Sequence, residues 1–197
     1  IAVYEIKSDQ LNKLTDWPVP ATARVGSLAW SPNGKAIAFT DDSNHLRVCD
    51  AYSGQVRWEA TNRAGTYWGL AWNGPYELVA AQAQSDALML LRSSDGVILN
   101  RINTPNDASA RTAFSPDGSW LATSTERFGT RLFQATTGRM VTADSAPSWH
   151  LHFDASGRRL GTLFENSRPA YLELLPAPAM QSLPAVSSGD NQVLSFS

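Results

Sequence analysis

The sequence predicts an all-β protein made of repeated four-stranded antiparallel units, and three observations carry that prediction. The first is a turn. Phe114-Ser115-Pro116-Asp117-Gly118 recurs as Trp30-Ser31-Pro32-Asn33-Gly34, 84 residues earlier (114 − 30), with looser copies at Trp72-Asn73-Gly74-Pro75 and Phe153-Asp154-Ala155-Ser156-Gly157. The second is an independent marker in the same register: Ser53-Gly54, Asp95-Gly96 and Thr137-Gly138 recur every 42 residues (96 − 54 and 138 − 96). The third is what lies between the markers. Short apolar runs such as Leu88-Met89-Leu90-Leu91 and Val97-Ile98-Leu99 alternate with them, and no i, i+3, i+4, i+7 pattern persists.

The turn has a physical logic. Serine bonds the backbone ahead, proline presets φ, aspartate or asparagine suits the next position, and glycine closes the turn. An aromatic residue before it and a β-prone run after it make a hairpin. The first complete repeat then reads as strand a, Val25–Trp30; strand b, Ala36–Thr40; a polar loop, Asp41–His45; strand c, Leu46–Cys49; and strand d, Gln55–Trp58. The second repeat places its strands at Trp68–Trp72, Glu77–Ala81, Ala87–Leu91 and Val97–Ile102. The third places them at Arg111–Phe114, Trp120–Ser124, Thr130–Phe133 and Met140–Ala143. A looser fourth has His150–Phe153, Arg159–Leu163, Ala170–Leu174 and Met180–Leu183, with Pro176-Ala177-Pro178 in place of the Gly turn.

Strand b is small in every repeat: Ala36 and Ala38, Ala80 and Ala81, Ala122 and Thr123, Gly161 and Thr162. Small residues suit inner strands of sheets packed face to face around an axis, with Trp and Leu filling the wider outer gaps. Four strands every roughly 40–45 residues is the period of a β-propeller. A two-sheet sandwich also has many short strands, but nothing in it requires a fixed period.

Leu28-Ala29-Trp30-Ser31-Pro32-Asn33-Gly34 with Leu46-Arg47-Val48-Cys49-Asp50-Ala51-Tyr52-Ser53-Gly54 resembles a WD-repeat. Thr112-Ala113-Phe114-Ser115-Pro116-Asp117-Gly118 with Leu132-Phe133-Gln134-Ala135-Thr136-Thr137-Gly138 resembles another. The likeness covers about residues 25–183, and a TolB-like propeller, which shares the Ser-Pro-Asp-Gly turn, is the second choice. The chain departs from the WD-repeat pattern in two ways. The Trp-Asp pair stands as Cys49-Asp50, Leu91-Arg92 and Phe133-Gln134, and no Gly-His pair opens a repeat. Only Thr40 with Asp41 or Asp42 remain of the family's His–Ser/Thr–Asp–Trp arrangement, so hydrophobic packing is expected to hold the blades.

The expected organisation is one propeller domain. Residues 1–17 supply strands c and d of a preceding blade, Ala2–Ile6 and Leu11–Leu14. Blades follow at 25–60, 67–102, 110–143 and 149–183, and residues 192–197 supply the first strand of a next blade. Either the two ends pair into a composite fifth blade, or the sequence is an excerpt of a longer propeller, such as a seven-bladed one. The excerpt is favoured, because unpaired edges invite association.

Composition narrows the function. Sixteen Lys and Arg against 18 Asp and Glu leave a net charge of −2, without the basic runs that nucleic acid or an anionic membrane attracts. Cys49 is the single cysteine, which excludes an intrachain disulfide and a four-cysteine zinc site and favours a reducing compartment, so a cytoplasmic location is expected. The chain starts at Ile1 without Met, so the absence of a secretory signal says little about targeting. No Gly-x-Ser-x-Gly elbow, phosphate-cradling Gly loop or His-Glu-x-x-His motif is present, so no enzyme activity and no cofactor are expected.

Two metal readings compete with plainer ones. His150 and His152 share a strand face, but no third ligand is evident, and His152 occupies the slot of Ala29, Ala71 and Ala113, which suggests a packed residue. The loop Asp41-Asp42-Ser43-Asn44-His45 has oxygen ligands for a calcium ion, or alternatively aspartates that cap backbone amides. No metal is expected.

Protein binding is the stronger reading. The d–a and b–c loops of a propeller emerge at one end, and here they carry Arg63, Tyr67, Trp68, Arg127, Phe128, Trp149 and Arg168. Aromatics and arginine dominate interface energetics. The expected function is therefore a non-catalytic scaffold whose partner is another protein or other domains of the same chain. The alternatives are a ligand- or signal-sensing propeller attached to an effector domain, and a periplasmic or enzyme-associated propeller.

Overall fold

The recurring turn folds around its serine. Ser115 N–H donates to Trp120 O and the Trp120 amide returns a bond to Ser115 Oγ (3.0 and 2.9 Å), while Gly118 N–H closes on Ser115 O at 2.8 Å. Asp117 accepts from the Ser115 hydroxyl and the Ser119 amide. Burial opposes ionisation of Asp117, but these bonds outweigh it and hold the carboxyl below its usual range. Gly118 takes φ +73°, where a side chain is strained. Ser31, Asn33 and Gly34 repeat the arrangement, and Asp154 performs both the serine and the aspartate role in the looser copy.

A computed structural model describes residues 1–19, 24–61, 65–74, 78–83, 87–104, 111–145, 148, 150–163 and 170–174. The chain divides into two units, Ile1–Asn106 and Asp107–Ser197. In the N-terminal unit β1 (Ala2–Lys7) pairs with β2 (Gln10–Asp16). Two four-stranded antiparallel sheets follow in chain order: β3 (Val25–Trp30), β4 (Ala36–Asp41), β5 (His45–Asp50) and β6 (Val56–Thr61), then β7 (Tyr67–Asn73), β8 (Leu78–Ala83), β9 (Ala87–Arg92) and β10 (Ile98–Asn103). The C-terminal unit holds β11 (Arg111–Phe114), β12 (Trp120–Thr125), β13 (Gly129–Gln134) and β14 (Met140–Asp144), then a sheet of β15 (His150–Phe153), β16 (Arg159–Leu163) and β17 (Ala170–Glu173). The strands expected at Met180–Leu183 and Val193–Ser197 lie outside the described residues.

β4 is buried on both faces, and its two faces differ. Ala36 and Ala38 join a core with Leu46, Val48, Trp58, Leu70 and Val79, whereas Ile37 and Phe39 join Val3, Trp17, Cys49 and Ala51. Small residues therefore line one face only, and large ones fill the other. In the C-terminal unit Ala122 and Leu132 pack with Phe153, Leu160 and Leu172. Cys49 is a buried member of its core, and burial pushes its thiol pKa up.

A tryptophan and a glycine lock adjacent sheets. Trp58 Nε1 donates to Ser93 O at 2.8 Å, and its ring lies where a Cβ on Gly96 would stand, 2.6 Å from Trp58 Cε3. Trp17 repeats this on Gly54, donating to Ala51 O at 3.2 Å. Both glycines have φ above +70°, so turn geometry and close approach both require glycine.

The expectation that packing alone holds the blades is corrected. Asp41, at the end of β4, is fully buried and accepts from the amides of Ser43 and His45 (2.9 and 3.0 Å) and from the Arg47 guanidinium. Arg47 also donates to Glu59 at 2.5 Å, and His45 lies 3.3 Å from Asp41 and 3.6 Å from Glu59. In the C-terminal unit a hydroxyl network stands at the matching place. Thr130 Oγ1 and the Ser148 amide donate to Ser124 Oγ, each at 3.0 Å, and Ser148 Oγ donates to His150 O. Polar groups this deeply buried must be paired, and they are.

Candidate functional site

The acidic loop follows its plainer reading, and the histidine strand departs from it. In the acidic loop both aspartates cap amides, since Asp42 Oδ1 accepts from Arg24 N–H at 3.0 Å, and Asn44 Oδ1 accepts from Thr66. His152 is exposed rather than packed, as is His150, and among the described residues no three His, Cys, Asp or Glu are grouped to hold a metal.

Of the seven residues expected on the binding face, Arg63, Trp149 and Arg168 lie outside the described residues. Tyr67 is corrected: it is 2% exposed, a core residue, and burial pushes its pKa up to about 12. The cause is a bulge. Register shifts between Tyr67, opposite Ala83, and Gly69, opposite Gln82, so Trp68 is an extra residue and stands out, 39% exposed, while Tyr67 turns in.

Arg127 and Phe128 come together in the C-terminal unit, in the connection from β12 to β13. Phe128 N–H donates to Thr125 Oγ1 at 3.1 Å, which anchors the loop tip. Gly129 follows at φ +70°, and a Cβ there would stand 2.0 Å from Asp144 O. The loop is thus tied at both ends, and it holds the Phe128 ring 37% exposed. Replacing Gly129 by alanine is expected to cost more than about 1 kcal/mol, read as a lowered denaturant midpoint, because strain and collision act together. A midpoint equal to wild type counts against this account of the loop.

A third residue belongs to the group. The Arg127 and Arg131 guanidinium carbons lie 5.6 and 5.8 Å from the Phe128 ring centroid, so two cations lie against one aromatic ring, each contact contributing about 0.5–1 kcal/mol. Arg131 sits on β13 and gave no signal as a strand residue. Aligning the repeats would have found it, since Arg47, Met89 and Arg131 are equivalent by the 42-residue period.

The sequence matches the model of one family, the anaphase-promoting complex subunit 4 WD40 domain, over residues 5–73. The structure is similar to a chain in a crystal structure of a mitotic checkpoint complex, at a TM-score of 0.72 and 14% identity over 88% of this chain. The fold is that of WD-repeat propeller blades. The present chain covers 55% of that structure's chain, about half its length. A computationally designed protein, Ika4, is similar at a TM-score of 0.67 and 13% identity, over 79% of this chain and 94% of its own. No curated protein matches in sequence. In these blades the expected Trp-Asp positions Cys49-Asp50, Leu91-Arg92 and Phe133-Gln134 each end the third strand, at β5, β9 and β13. Asp50 there caps the next turn, accepting from the Ser53 and Tyr52 amides and from Arg57.

Proposed function

We propose that the chain is a non-catalytic interaction module of the WD-repeat type, which presents rigid strand-end loops to another protein or to further domains of its own chain. The proposal includes a cytoplasmic setting and no cofactor, nucleic acid or membrane. Among the described residues no helix is long and apolar enough to cross a membrane. One observation carries the reading: an exposed aromatic ring flanked by two arginines on an anchored loop. That is the residue mix of an interface hot spot. The relatives in fold and family are named for multiprotein assemblies, a mitotic checkpoint complex and an anaphase-promoting complex subunit, which supports the same reading.

The test is affinity purification of the tagged protein from its own cells, beside an Arg127→Ala/Phe128→Ala variant. At least a tenfold loss of the co-purifying partner is expected, with unfolding midpoints within error of each other. Equal recovery from the folded variant would remove this loop from the interface.

A further inference from the structure

Arg47 and Arg131 occupy the same position in two repeats, yet their surroundings differ in every charged partner. Arg47 stands opposite Glu59 across β6, is bound by Asp41, and lies 6.0 Å from the Phe39 ring. By the repeat spacing, Asp41, Glu59 and Phe39 become Thr125, Ala143 and Thr123 around Arg131. Register confirms this, since Arg131 stands opposite Thr123 on β12 and Ala143 on β14. The middle repeat loses both members of the pair, with Met89 opposite Arg101. Only around Arg131 is the arginine kept and the acids removed.

The consequence is a half-buried guanidinium paired with no carboxylate among the described residues. Burial lowers the Arg131 pKa, whereas burial of Arg47 is outweighed by Glu59 and Asp41, which raise it. Arg131 stays charged at any physiological pH, and among the described residues no carboxylate offsets its desolvation. The place held by Glu59 is open here, because Ala143 is exposed. Glu126, next to Arg127, is exposed on the same loop.

We propose that Arg131, with Arg127 and the Phe128 ring, is a receptor for a carboxylate side chain of an acidic peptide, which supplies from a partner what Asp41 and Glu59 supply within the first repeat. This deepens the interaction reading above and rests on it. The carboxylate is favoured over other anions because the same chain already shows an arginine at this position taking two carboxylates beside an aromatic ring.

The experiment uses fluorescence anisotropy of fluorescein-labelled hexaglutamate, with hexaglutamine as control, on the whole protein at low salt. Wild type is expected to bind hexaglutamate at least tenfold more tightly than hexaglutamine, and the difference is expected to shrink as salt rises. Arg131→Met copies the middle repeat and is expected to remove the preference. Ala143→Glu restores the internal acid at an exposed position and is expected to block the site at least tenfold while the unfolding midpoint stays level or rises. Absence of a glutamate preference in wild type, or unchanged binding by a folded Ala143→Glu variant, overturns the proposal. Tighter binding of a phosphoserine peptide or of a single-stranded oligonucleotide than of hexaglutamate overturns the carboxylate assignment. The two readings separate cleanly. Partner loss in the Arg127/Phe128 variant with Ala143→Glu binding intact leaves the interface and sinks the acid receptor, and the reverse pattern does the opposite.

Discussion

Replacing Trp58 by alanine is expected to cost about 3–5 kcal/mol of folding stability, the range for removing a large buried aromatic. Trp58 is 8% exposed, packs on Ala36, Ala38, Leu46 and Val48, and covers Gly96 in the turn after β9. Gly96, without a Cβ, offers no side chain to refill the space. Trp58→Phe keeps most of the ring and loses the bond to Ser93 O, so a smaller loss of about 1–3 kcal/mol is expected. Guanidinium unfolding followed by circular dichroism reads both. A Trp58→Ala cost below about 1 kcal/mol would show that the sheets do not depend on this contact.

The second large effect is expected at Asp41. Asp41→Asn removes the buried charge that Arg47 faces, and breaking a buried pair from one side costs about 3–5 kcal/mol. Glu59 still holds Arg47, which places the expected cost near the lower end, about 3 kcal/mol. The pH dependence follows the same carboxylate. Burial alone would raise the Asp41 pKa, but the His45 amide and the Arg47 guanidinium outweigh it and lower the folded value. A carboxyl with a depressed folded pKa binds its proton first in the unfolded chain. Its stabilisation is therefore complete above the unfolded value of about 3.9 and is lost as pH falls through the lower folded value. Wild-type stability is expected to drop steeply below about pH 4, and the Asp41→Asn variant is expected to drop less steeply there. Parallel acid profiles for the two proteins would remove Asp41 from this role.

Much of the architecture was legible because it is local. The Ser-Pro-Asp-Gly turns and the Gly pairs act within a few residues of themselves, and β3, β11, β15 and β16 begin and end where the repeat spacing places them. The candidate site was half legible. Arg127 and Phe128 lie in a loop whose position the period predicts, but Tyr67 was misjudged because a bulge reverses the side-chain alternation on which the reading relied. Arg131 was missed because a strand arginine carries no local signal, and only its equivalence to Arg47 across the repeats marks it.

By itself, then, the sequence determined the repeat, the turns and the order of the strands, since each depends on residues adjacent in the chain. Tertiary structure decided which groups meet: Trp58 over Gly96, Arg47 between Asp41 and Glu59, and Arg131 beside Phe128 with Ala143 where an acid would stand. Those pairings depend on register and on the packing of one sheet against the next, and residues 3 to 38 apart in the chain carry no mark of their partners until the sheets form.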